Sequence, residues 1–349
     1  MRTRMPLTLC TTLVAALLPV ACGGGSSAST SAPPPPAAHV YAAGEVQNAS
    51  GTYVATMWKD GAATSLTNGS HAAYAFGVFA SGADVYVAGA QYSGSAFIAT
   101  VWKNAVATAL TNGLQNAMAI SVCVSGSDVY AGGYETSRTG TDIAEVWKNG
   151  VSTDLSDGSH AARVTAVAVS GADVYAGGYM MNDAGIAVAM LWKNGVPFSW
   201  SDGTRASTPS GLALSGADVY LIGASYSAAN VRTATVWMNG TANALSDDSH
   251  SANASGVFVS GSDVYGTGYV NNGTVNVATV WKNGAPTSLS DGVHGANASG
   301  VFVSGSDVYV SGSVSAGGPD KAVIWKNGAV AGLTDGSTYA QANAVFVSN

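Results

Sequence analysis

Residues 254–291 read ASGVFVSGSDVYGTGYVNNGTVNVATVWKNGAPTSLSD, and four extended segments follow one another in that stretch. Val257-Phe258-Val259 and Val264-Tyr265 are β-branched and aromatic runs separated by Ser260-Gly261-Ser262-Asp263, a hairpin turn with glycine at a central position. A loop of variable sequence comes next. Ala278-Thr279-Val280-Trp281 makes a third strand, and Asn283-Gly284, the pair that suits a type I′ turn, leads into a fourth from Pro286 to Leu289. Ser290-Asp291-Gly292-Val293-His294 then crosses to the next unit.

The unit is copied along the chain. Tyr recurs at steps of 44 or 45 residues (Tyr41, Tyr86, Tyr130, Tyr175, Tyr220, Tyr265, Tyr309), each followed 16 or 17 residues later by Trp58, Trp102, Trp147, Trp192, Trp237, Trp281 or Trp325. The turn pair recurs as Asp60-Gly61, Asn149-Gly150, Asn194-Gly195, Asn239-Gly240 and Asn327-Gly328, and only Asn104-Ala105 departs. A four-stranded meander cannot bury both of its faces alone. Copies stacked around an axis can, so the period predicts an all-β, seven-bladed β-propeller with Tyr and Trp filling the seams between blades.

Ring closure is also readable. The first copy begins at its second strand, His39-Val40-Tyr41, and the chain ends in an unaccompanied first strand, Ala344-Val345-Phe346-Val347. Pairing these ends in one blade protects both exposed edges.

The 349 residues are 47% hydrophobic and only 9% charged, with 44 Gly, which excludes disorder and suits short strands and tight turns. Arg2 and Arg4 precede an apolar run, Leu7 to Val20, too short to span a bilayer, so residues 1–21 read as a secretory leader. Residues 22–38, which end in GGGSSASTSAPPPPAA, read as a tether, flexible in its Gly/Ser half and extended in its proline half. Residues 39–349 are the propeller. Without the leader arginines, 11 basic residues face 20 acidic ones, which argues against a nucleic-acid partner. Cys123 is then the sole thiol of the folded part and occupies the position held by Phe79, Phe258, Phe302 and Phe346 in other copies, so it reads as a buried apolar side chain.

Leu18-Pro19-Val20-Ala21-Cys22, followed by Gly23-Gly24-Gly25-Ser26-Ser27, resembles the cleavage and lipidation site of bacterial lipoproteins. That resemblance implies a lipidated Cys22 and anchoring in the cell envelope, on the periplasmic or surface side of an outer membrane in a Gram-negative cell. Val129-Tyr130-Ala131-Gly132-Gly133 and Val174-Tyr175-Ala176-Gly177-Gly178 look like the kelch double-glycine strand, and the third-strand Trp with a downstream Gly-x-His looks like WD repeats. Over residues 39–349 the chain resembles uncharacterised bacterial lipoproteins whose repeats read VYVAGY, VWKNG and LTDG, a resemblance that implies the propeller but no activity.

Candidate functional residues are those that break the repeat on the face carrying the second-to-third-strand loops, near the central channel. Tyr134, Tyr179 and Tyr269 share one loop position, and Tyr92 and Tyr226 stand two residues further on, which predicts a partial aromatic rim for a sugar or peptide. Glu135, Arg138, Asp142 and Glu145, concentrated in the third copy, form a non-repeating charged cluster expected at the channel mouth. His71, His160, His250 and His294 share a crossover position where other copies place Gln115, Arg205 and Thr338, so they read as structural, and no metal or cofactor is expected. Asp84, Asp128, Asp173, Asp218, Asp263 and Asp307 read as turn caps accepting backbone N–H groups, and Lys59, Lys103, Lys148, Lys193, Lys282 and Lys326 as solvated charges. The resulting expectation is a monomeric, membrane-anchored binding or scaffold protein for an envelope protein or glycan. A carbohydrate-active lyase or hydrolase is the alternative.

Overall fold

The computed structural model describes residues 38–315 and 317–348, so the leader, Cys22 and the tether through residue 37 lie outside the described residues. Seven antiparallel sheets of four strands each make seven blades, with no helix among the described residues. Blade 1 is the sheet shared by the two chain ends, and blades 2 to 7 follow in chain order. In every blade the four strands lie side by side in the order inner, second, third, outer.

In blade 6 the strands run Ala252–Ser260, Asp263–Asn271, Asn276–Lys282 and Ala285–Ser288. The inner strand therefore begins five residues before Val257, inside a stretch that reads as crossover. Its Ala, Asn, Ser and Gly residues look like loop because the seven inner strands crowd around the axis. A Cβ on Gly256 would stand 2.6 Å from the Ser299 carbonyl oxygen of the next blade, so only the smallest residue fits. A β-bulge between Ala254 and Gly256 bends the strand at that point, and the corresponding bulge recurs in the other inner strands. The channel the inner strands enclose holds about 360 Å³.

Closure occurs as the termini foretell. Ala340–Ser348 pairs antiparallel with His39–Gln47, from His39 opposite Ser348 to Val46 opposite Ala340. The seams use one repeated joint. Trp102 of blade 2 packs on Tyr41, Ala43 and Leu66 of blade 1, and Trp58 of blade 1 packs on Tyr309, Ile324 and Leu333 of blade 7. All seven repeat Trp are at most 1% exposed, the depth at which truncation to Ala costs about 3–5 kcal/mol. Around the axis, Phe258, Phe302, Phe346 and Phe79 touch in sequence at ring separations of 4.6, 4.8 and 4.7 Å. Cys123 continues this circle on blade 3 as a buried thiol pushed up to about 12 by desolvation.

The hairpin face is built from a repeated side-chain clamp, and two sequence readings need correction there. The repeat aspartates do not cap backbone N–H groups. In blade 6 the Asp263 carboxylate accepts from Asn283 Nδ2 at 2.8 Å and from Lys282 Nζ at 2.8 Å, while Asn283 Oδ1 accepts the Val264 N–H at 2.8 Å. The lysines are not merely solvated charges either: Lys282 Nζ stands 5.4 Å from the centroid of the Tyr265 ring. The amide of Asn283 supplies both a donor for the carboxylate and an acceptor for the backbone, which a carboxylate alone cannot do. Blade 1 inverts the arrangement, with Asp60 Oδ1 accepting the Val40 N–H and Asp60 Oδ2 meeting His39 Nδ1 at 2.7 Å.

Candidate functional site

Blade 3 departs from the repeat on the opposite face. Its strands run Ala117–Ser125, Asp128–Thr136, Asp142–Lys148 and Val151–Asp154. Glu145 sits opposite Asp154 in the register of the third and outer strands, and Glu135 sits opposite Ile143 on the adjoining pair. Alternation places Glu135, Ile143, Glu145 and Asp154 on one side of the sheet. With Arg138 and the crossover residues Asn112, Leu114 and Gln115 they line a pocket of about 540 Å³.

Electrostatics single out Glu145. It is 5% exposed, and its Oε2 finds no hydrogen-bond partner. Desolvation, followed by the charges of Glu135 and Asp154, pushes its carboxyl up to about 8. Glu135 is raised as well, by burial and then by Asp154. The positions equivalent to Glu145 hold Thr56, Thr100, Met190, Thr235, Thr279 and Val323, and those equivalent to Asp154 hold Ser, Ala or Gly. A fold that needs no carboxylate at these positions in six blades carries three carboxylates in the seventh.

The location differs from the one expected. None of the pocket residues lines the central channel, whose wall comes from the inner strands. The pocket wall includes Asp154 of the outer strand of blade 3. Asp142 does not join it, because its carboxylate is held by Arg163 of blade 4, with Nε at 2.7 Å, and accepts from Thr136 at 2.8 Å.

The five tyrosines divide. All lie within second strands rather than in loops, since those strands run on past the hydrophobic core. Tyr134 is 5% exposed beneath the Arg163 guanidinium, 4.1 Å from its ring centroid, so it offers no open ring face. Tyr179 and Tyr269 are half-buried, Tyr92 packs against Phe97, and Tyr226 alone is open, at 39%. Of the five, only Tyr226 therefore presents an exposed ring.

The crossover histidines make local contacts. His160 Nε2 meets Asp183 Oδ1 at 2.9 Å, and His294 Nδ1 meets Asp291 Oδ2 at 3.1 Å. Among the described residues, no three His, Cys, Asp or Glu side chains converge to hold a metal ion.

Two features escape a linear reading of the sequence. Asp154 precedes Leu-Ser-Asp-Gly and looks like part of the crossover, although it is the one charged residue in its column. Glu45 is the other. It is buried, pushed up to about 7 by desolvation, and bonded by Asn343 Nδ2 at 2.7 Å. Near it Tyr339, Tyr53, Tyr74 and Phe97 follow one another at ring separations of 5.6, 5.4 and 5.8 Å.

No protein-family model and no curated protein matches the chain. Among solved structures it is similar to a puromycin hydrolase, with a TM-score of 0.60 and 10% identity over 85% of this chain and 52% of that one. A puromycin-hydrolyzing peptidase of Mycobacterium tuberculosis gives 0.57 and 12% over 84% and 51%. The acylaminoacyl peptidase of Pyrococcus horikoshii gives 0.51 and 13% over 85% and 51%. The chain thus spans about half the length of these peptidases, and at such identities the likeness is one of fold.

Proposed function

We propose that the protein is a binding scaffold, anchored in the cell envelope through a lipidated Cys22, that presents the second-to-third-strand face of its propeller to an envelope protein or glycan. The observation that carries this reading is the pocket of blade 3. A repeat keeps the residues its fold requires, so positions where one copy alone gains Glu135, Glu145 and Asp154 are free to serve a ligand. Loops on a rigid ring give such a pocket fixed geometry. The test is affinity capture from envelope extracts with wild-type protein and with variants of the 137–141 loop and the pocket carboxylates. A partner retained equally by every variant would remove the reading.

A carbohydrate-active enzyme is the second reading, favoured by one observation. Glu145 holds its proton to about 8 in a pocket that Glu135 and Asp154 also line, and a retained proton is what a general acid requires. Turnover of a glycan panel that disappears in Glu145→Gln would establish it. Absence of turnover in the wild type dismisses it.

A further inference from the structure

We propose that the blade 3 pocket is a receptor for a protonated primary amine carried on an aliphatic stem, the chemistry of a lysine side chain. This rests on the binding reading above and specifies its ligand. Glu145 is 5% exposed and lines the cavity, and its Oε2 has no hydrogen-bond partner. A carboxylate held at this depth is costly without donors, and a cationic N–H brought into the cavity beside it offsets that cost.

The charged groups facing Glu145 are Glu135 and Arg138 from the second strand and its loop, and Asp154 from the outer strand. The crossover contributes only neutral Asn112, Leu114 and Gln115. Carboxyls outnumber the single guanidinium three to one, which selects a cation. Metal ions are disfavoured because no three acidic groups among the described residues converge tightly enough. An ammonium tolerates that wider spacing, since its three donors diverge. Ile143 and Leu114, the latter 71% exposed at the rim, give the methylene stem an apolar wall, and exposed Arg138 can take a carbonyl oxygen of the ligand.

Binding of an ammonium requires Glu145 to give up its proton. Affinity therefore rises with pH while Glu145 is protonated and levels off above about 8. Isothermal titration of the full chain with Nα-acetyl-lysine methylamide at pH 6 to 9 tests this, with the Nε-acetylated compound as the uncharged control.

The expected result is binding of the free amine alone, with an association constant that climbs up to about tenfold per pH unit and releases protons. Glu145→Gln should flatten that slope. Asp154→Asn, at an exposed strand end where folding is safe, should weaken binding at least about tenfold at pH 9. Equal binding of the acetylated control, no binding at pH 9, or wild-type behaviour in both variants overturns the proposal. If the amine fails while pocket variants still lose a captured envelope partner, only the ligand class is wrong. If capture is also unaffected, the binding reading falls with it.

Discussion

Glu45 and Glu145 keep their protons in the folded protein at pH values where the unfolded chain has lost them. For an acid whose folded pKa is raised, stability is full below the unfolded value near 4.5. It declines as pH rises and is level above the folded values of about 7 and about 8. Each group contributes on the order of 1–3 kcal/mol to that decline once solvent screening is allowed for. The melting temperature should fall between pH 5 and 8.5. Glu45→Gln with Glu145→Gln should raise it at pH 8.5 and leave it nearly unchanged at pH 5, which calorimetry on the two proteins will read. A fall of equal size in the double variant would mean that other groups cause it. These residues also mark how far a sequence can be read at this scale. Glu135, Arg138 and Glu145 stand out as departures from a repeat, whereas Asp154 is hidden beside a turn motif and Asn343 lies almost a full chain away from the Glu45 it bonds.

The hairpin between the third and outer strands carries much of each blade's definition. Asn283 has φ 51, and Gly284, the residue after it, has φ 83, so both adopt the left-handed region. Asn283→Ala removes the bonds to Asp263 and Val264 and adds strain, and should cost about 1–3 kcal/mol in a denaturant titration. Blade 2 offers the opposite experiment. Ala105 has φ 66 where other blades place Gly, and Ala105→Gly should stabilise by roughly 1 kcal/mol. No gain in denaturation midpoint would refute that account. These turns were legible because their residue types are dictated by dihedral angles. The first halves of the inner strands were not, because crowding at the axis selects the same small residues that loops use.

At the scale of the whole molecule, two predictions separate the anchor from the ring. Cys22→Ser should move the protein from the membrane to the soluble fraction without changing its melting temperature, and continued membrane association would sink the proposed lipidation. Deleting residues 344–349 should lower stability far more than deleting 22–37, because it removes the second half of the inner strand of blade 1 and uncovers the seam held by Trp58. The ring as a whole was the most legible feature, since period, count and closure all follow from where the repeat starts and stops.

A blade assembled from both ends of the chain accepts its last strand from wherever that strand arrives. In dilute solution the molecule's own tail wins by proximity. Molecules refolded together at high concentration can trade tails and yield an interlaced pair in which each ring is sealed by its neighbour, with the same hydrogen bonds as two separate rings.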